Sequence, residues 1–401
     1  MDVHNLCAKP RTRRPSLTQL RAIAHPLVVC GVGTRGSSRH ASWRPESVAR
    51  RHWQCDACGV SPESETKKPL LRRSLIGCGV VAAGIAILLV VFAMALSPSS
   101  NGFDSPHHPF RSEEAKREFL ASYDARASKW PVPSATTTVN TAYGPTFVRL
   151  SGPETAPALV LLHGAGGSSL HWLPNIAALS EHYRTYAVDI VGDHGRSVYM
   201  RELGSAEDYS KWLDELLDGL GLEHDVNLVG LSYGGWISAH YALHSPNRLE
   251  NVVLLAPAGT VSPLPFAWIW RAVLVAVPHP RFTKNFLYWV LEDLARTDDG
   301  RLLLDQAADA GYLAIRSYKP RQMAPPDVLT NAELQSFAVP VLFVVGENEK
   351  LYTATEAVER LNEVAPKIQT RIVPDAGHDL TMLQADSVNQ AILEFLLHRQ
   401  M

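Results

Sequence analysis

A chain of 401 residues has room for one large or two ordinary domains, each with a sizeable core. Its net charge of −2 hides an uneven distribution: residues 1–73 carry 14 Lys/Arg against 5 Asp/Glu, and the remainder 24 against 35. An acidic body argues against a nucleic-acid partner. All five cysteines lie before residue 79, so that body cannot form a disulfide of its own.

The first 74 residues are basic, rich in Arg and Ser, and lack hydrophobic periodicity, as in a transit peptide or a disordered arm. A start assigned upstream, within non-coding sequence, would give the same pattern. Cys55 and Cys58, with His52 nearby, are half of a zinc site; no second Cys pair exists, and the segment is read as metal-free. Residues 75–96 then run for 22 positions without a charge. At about 1.5 Å per helical residue this length crosses a hydrocarbon layer of about 30 Å. Lys67, Lys68, Arg72 and Arg73 precede the run, and no basic residue follows until Arg111. The positive-inside rule then places the N-terminus in the cytoplasm and the body outside it, held to the membrane through residues 75–96. A cleaved export signal competes with this reading, through Ala93-Met94-Ala95 as a cleavage site or Arg72-Arg73 as a twin-arginine pair. A buried helix is the third option.

Residues 97–110 read as a Ser/Pro-rich linker to a body spanning 111–401. Ser112 caps a predicted helix with Glu113 and Glu114 in its first turn, stopped by Trp130-Pro131-Val132-Pro133. Extended segments follow at about 136–141 and 146–150. Strand and helix then alternate: strands at 158–162, 183–189, 226–230, 251–256, 339–345 and 368–373, helices at 170–181, 206–220, 234–245, 354–364 and 387–398. Apolar strands alternating with amphipathic helices predict an α/β fold, a mostly parallel sheet covered on both faces. Residues 260–336 break the rhythm. They hold Phe266, Trp268, Trp270, Phe282, Phe286, Tyr288 and Trp289, interspersed with Pro263, Pro265, Pro278 and Pro280. They read as a helical insertion whose aromatic residues pack on the sheet domain, line a substrate pocket, or do both.

Ligands of open α/β sheets sit at the carboxyl ends of the strands. There the chain places His163-Gly164-Ala165-Gly166-Gly167, a sequence from Asp189 to Ser197, Gly230-Leu231-Ser232-Tyr233-Gly234, Gly346-Glu347-Asn348-Glu349 and Ala376-Gly377-His378-Asp379. Gly-x-Ser-x-Gly between a strand and a helix is the pattern of a sharp turn that presents Ser232 at its apex, with no room for side chains at Gly230 and Gly234. By itself it arises by chance in roughly one chain in ten of this length, so its partners decide. A serine hydroxyl needs a base within hydrogen-bond reach, and the base needs a carboxylate that fixes its tautomer. Ser232, Glu349 and His378 supply these groups in the chain order serine, acid, histidine. The glycines after His163 free backbone N–H groups to converge on a developing oxyanion.

With these motifs, residues 136–398 resemble the α/β-hydrolase fold, and most closely its carboxylesterase-like branch with a single helical cap. The resemblance implies Ser232 as nucleophile, His378 as general base and then acid, and Glu349 as the orienting carboxylate. It also implies an oxyanion hole from the backbone N–H groups of Ala165 and Tyr233, with Gly164, Gly230 and Gly234 supporting the turns. His163 braces the oxyanion loop. Most members carry Asp where this chain has Glu349; Glu347 is the alternative acid, with Asp193 and Asp379 behind it. Asp189, His171, His194, His240 and His244 are read as structural or solvated. The expected activity is hydrolysis of a carboxylic ester, on an apolar small-molecule or lipid-like substrate, with no metal and no organic cofactor. Acyl transfer, C–C bond hydrolysis and cofactor-free peroxidation remain open on the same residues, as does a non-catalytic, membrane-anchored binding module. The oligomeric state is not legible.

Overall fold

A computed structural model describes residues 105–397. The basic arm with Cys55 and Cys58, the apolar run at 75–96 and the first part of the linker lie outside the described residues. Among those described, no helix is long and apolar enough to cross a membrane.

The described chain opens with helix α1 (Glu113–Ala127), whose cap Ser112 accepts the Ala115 N–H at 3.1 Å. Its buried face presents Phe119 and Tyr123, and the Tyr123 hydroxyl donates to Asp189 at 3.0 Å. Strands β1 (Ser134–Thr141) and β2 (Gly144–Ser151) form an antiparallel hairpin. Then follow β3 (Ala158–Leu162), α2 (Ile176–Ser180), β4 (Arg184–Val188), α3 (Ala206–Leu220), β5 (Val226–Leu231), α4 (Tyr233–His244) and β6 (Leu249–Leu255). After the insertion come β7 (Val341–Gly346), α9 (Ala354–Val364), β8 (Gln369–Val373), the short α10 (Leu380–Leu383) and α11 (Ala385–Leu397). The eight strands form one sheet in the order β1-β2-β4-β3-β5-β6-β7-β8. Strand β2 runs antiparallel to both its neighbours, and β3 to β8 are parallel.

The sheet divides the core in two. Along each central strand alternate residues face opposite sides, so Val160, Leu162, Val252, Leu254, Phe343 and Val345 join α3 and α4 in one cluster. Leu159, Leu161, Val253, Leu255, Leu342 and Val344 join Trp172, α2 and α11 in the other. β5 and β7 are buried at every position and almost wholly apolar, with Asn227 the polar exception, while the edge strand β8 exposes Gln369 and Arg371.

The helix expected over 170–181 is instead a 3-10 turn (Ser169–Trp172) followed by α2. Pro174 lies between them and has no N–H to continue a helical ladder. Between β6 and β7 lie α5 (Phe266–Val275), α6 (Pro280–Val290), a 3-10 turn (Leu294–Arg296), α7 (Asp298–Ser317) and α8 (Asn331–Gln335). Their aromatic residues divide. Trp268, Phe286 and Trp289 pack against the larger core, but α5 buries none of its residues and Phe266 is 77% exposed.

Candidate active site

The chain runs β3 to β4 on one side and then crosses to β5 on the other, so the order reverses at β3. A crevice opens at the carboxyl ends on either side of such a strand. Ser232 stands there, between the last residue of β5 and the first of α4, with φ 53° and ψ −113°. A non-glycine residue in that region carries about 1–3 kcal/mol of strain, tolerated only when its surroundings over-determine it. Here they do: the Ser232 N–H donates to Leu255 O at 2.8 Å, and its carbonyl accepts from Trp236 and Ala258, each at 3.0 Å. A Cβ on Gly230 would stand 2.2 Å from the Gly234 carbonyl oxygen, and one on Gly234 2.4 Å from that of Leu162. The turn therefore closes only with glycine at both places.

The loop after β3 passes beside the serine. A Cβ on Gly164 would lie 3.2 Å from that of Ser232. His163 is buried; its Nδ1 donates to Gly164 O at 2.8 Å and its Nε2 accepts the Ile190 N–H at 3.0 Å, which fixes the orientation of the ring. The Gly166 N–H donates to both oxygens of Asp193, at 3.1 and 2.9 Å. Among the described residues, neither the Ala165 nor the Tyr233 N–H is paired with a protein acceptor. The Tyr233 N–H also sits at the positive end of α4.

Glu349 and His378, the expected acid and base, follow β7 and β8. His378 Nδ1 donates to both oxygens of Glu349, at 3.1 and 3.0 Å, and the glutamate side chain is wholly buried. Glu349 Oε1 also accepts the N–H groups of Lys350 and Leu351, at 2.8 and 2.9 Å. Burial opposes protonation of the ring, but the Glu349 charge and hydrogen bond, with Asp379 behind them, outweigh it and hold His378 above the usual imidazole range. Glu347 is exposed and accepts only a 3.3 Å bond from the Asp375 N–H. Of the acids considered, Glu349 is the one hydrogen-bonded to His378. Among the described residues no hydrogen bond joins Ser232 Oγ to His378.

Asp193 and Asp379 have other engagements. Asp193 is buried against Arg321 of the insertion, 2.6 Å away. Burial alone would raise its pKa; Arg321 and the neighbouring histidines reverse that and hold it below the carboxylate range. The same stretch of the insertion accepts the Tyr233 hydroxyl at Ala324 O, 2.8 Å, and the Trp236 indole N–H at Asp327, 2.9 Å. Nothing in sequence spacing pointed to Arg321, whose partner lies 128 positions away. His171 sits closer to the site than a structural reading implied. Its Nε2 lies 3.1 Å from Thr381 Oγ1, and burial, then His163 and His378, push it down to about 3, so it stays neutral. Burial and Arg321 likewise bring His194 to about 4. Among the described residues, no group of three or more His, Cys, Asp or Glu is arranged to hold a metal ion.

The family model described as the alpha/beta hydrolase family matches residues 159–391. Carboxylesterase YbfK of Bacillus subtilis is 38% identical over 291 residues, 72% of this chain and 96% of its own length. Its crystal structure covers 71% of this chain and 98% of that one, with a TM-score of 0.65. The naproxen esterase of the same organism, at 34% identity, covers 71% of this chain and 99% of its own with a TM-score of 0.66.

These matches correct the localisation expected from residues 75–96. Carboxylesterases known from crystal structures are matched over nearly their whole length by 71% of this chain, and no described helix is long and apolar enough to cross a membrane. A single-pass protein with its body outside the cytoplasm is therefore not supported. The length of an uncharged run gives the capacity to span a bilayer, and nothing in the hydrolase body requires that capacity to be used. What the body does require is the sheet, the elbow and the ordered loops just described, and with them the chain belongs to the alpha/beta hydrolase family.

Proposed function

We propose that this protein is a serine hydrolase that cleaves carboxylic esters through an acyl-enzyme on Ser232. The observation that carries the reading is the paired hydrogen bond from His378 to both oxygens of buried Glu349, on loops that, like the strained serine, follow the carboxyl ends of parallel strands. The activity named for two relatives, YbfK and the naproxen esterase, agrees with it. Ser232 Oγ attacks the ester carbonyl while His378 Nε2 takes its proton, and Glu349 stabilises the imidazolium. The carbonyl oxygen gains negative charge and accepts the N–H groups of Ala165 and Tyr233, each such donor being worth about 10²–10³ in rate. His378 returns the proton to the departing alcohol. Water, deprotonated by the same ring, then attacks the acyl-serine, and the acid leaves as Ser232 is reprotonated. No metal or organic cofactor takes part. The aromatic, half-exposed α5 and α6 favour an apolar acyl or alcohol group.

A fluorophosphonate probe tests the chemistry on the full chain. Labelling is expected in the wild type and lost in Ser232→Ala; labelling that survives this substitution, or never occurs, overturns the proposal. A series of p-nitrophenyl esters of graded chain length tests the substrate class, with kcat/KM expected to rise from acetate toward longer acyl chains.

A further inference from the structure

Three consecutive residues of the insertion each grip a residue that flanks the acid or the base. Glu292 pairs with Lys350 Nζ at 2.6 Å. Asp293 Oδ2 accepts from Asn348 Nδ2 at 2.9 Å. The Leu294 N–H donates to Asp379 Oδ2 at 2.6 Å. Glu349 lies between Asn348 and Lys350, and His378 lies next to Asp379. The two loops also meet each other. The Asn348 N–H donates to Ala376 O at 2.9 Å, and a Cβ on Gly377 would stand 2.9 Å from Asn348 O; within the second loop the Gly377 N–H donates to Asp379 Oδ1 at 3.0 Å. Asp293 and Asp379 are 5% and 1% exposed, so both contacts are shielded from competing water. Arg296 Nη2 lies 2.7 Å from Asp293 Oδ1 and balances the charge, although the angle is too poor for a hydrogen bond.

We propose that the turn formed by Glu292, Asp293 and Leu294 positions the acid–base pair, so that alignment of His378 with Glu349 depends on the seating of the insertion. The physical reason is one of common reference. The carboxylate and the ring stand on loops from different strands, and a hydrogen-bonded pair must be held within about 0.5 Å to work. One short turn that holds both sides of Glu349 and the residue after His378 ties the two loops to a single rigid point. Residues 292–294 touch no reacting atom in this scheme and act only through Lys350, Asn348 and Asp379. The inference rests on the reading of Ser232, His378 and Glu349 as the reacting site.

The test compares Asp293→Ala, Asn348→Ala and Asp293→Asn in the full chain. Arg360→Ala serves as a control; Arg360 holds the insertion elsewhere, through the carbonyls of Val261 and Leu329. The alanine variants are expected to lower kcat by ten- to a hundredfold, on the order of the cost of a misplaced group, with KM moved by less than about threefold. The acid limb of kcat/KM should move to lower pH, because a ring less well held by Glu349 is less easily protonated. The downfield proton resonance of the His378 Nδ1–H bond should weaken or shift upfield. Asp293→Asn, which keeps an oxygen for Asn348, should recover most of the loss. Unchanged resonance and acid limb in both alanine variants overturn the proposal, as does Arg360→Ala reproducing the same changes at a matched loss of thermal stability. Should Asp293→Ala fail to fold, Asn348→Ala decides alone. Fluorophosphonate labelling of the wild type separates the two ideas: its absence sinks the hydrolase reading, whereas the resonance reports the turn without any turnover.

Discussion

Glu349 has one more methylene than the aspartate common at its position, and the structure spends that length on two tasks. Both oxygens reach His378 Nδ1, and Oε1 also takes two backbone N–H groups of its own loop. Glu349→Gln keeps the shape but removes the charge and offers an amide N–H to the ring, which favours the wrong tautomer. A fall in kcat of about 10⁴ is expected. The acid limb of the pH–rate profile should also move down, because loss of the negative charge makes the imidazolium harder to form and the raised pKa of His378 relaxes. Glu347→Gln should leave both quantities unchanged; an equal loss there would reverse the assignment. Ser232, His378 and a pair of candidate glutamates were legible as expectations, because acyl transfer demands those residue types in that order. The choice between the glutamates was not, since Glu347 and Glu349 share one turn and only side-chain direction separates them.

At the scale of elements, helix α3 and strand β3 were readable to the residue, since amphipathic period, caps and apolar runs all agree there. The short α10 and the split at Pro174 were not. Four residues of α10 are too few to show a period, and the pieces on either side of Pro174 are each too short to show one, although the proline itself marks the break. The insertion was legible as a helical interruption of the strand series, which its helices bear out, but not in its contacts. Its grip on the body runs through single long-range contacts, which leave no trace in spacing. The ion pair of Arg321 with Asp193 is one of these, with the carboxylate also holding the Gly166 N–H in the loop after β3. Arg321→Ala would strand a buried carboxylate, and a loss of about 3–5 kcal/mol is expected, read as a lower midpoint in urea. Asp193 has a depressed pKa in the folded state, so its contribution is present at neutral pH and is lost as pH falls through that folded value. The wild-type advantage over Arg321→Ala should therefore shrink in acid; an advantage that is constant with pH would contradict the assignment.

For the whole molecule, the fold class was legible because a doubly covered parallel sheet writes itself as apolar runs separated by amphipathic helices. Where the chain resides was not, since residues 75–96 carry a signal about solubility in lipid and none about the body that follows. The order of the strands has a further consequence, in time. Ser232 and the loop after β3 belong to the middle of the sheet, where β3, β5 and β6 are near in sequence, whereas β7 joins β6 only after residues 256–340 have been threaded between them. Pairings across so long a connection form late, because loop closure must precede the contacts that reward it. Refolding from denaturant should thus restore the fluorescence of buried Trp212 and Trp236 before Ser232 becomes reactive to a fluorophosphonate, in a quenched-flow comparison of the two signals. Simultaneous recovery would argue against that sequence of events. A half-folded copy of this chain would already display its serine and still be chemically silent, so unfinished or damaged molecules would not release indiscriminate hydrolysis into their surroundings.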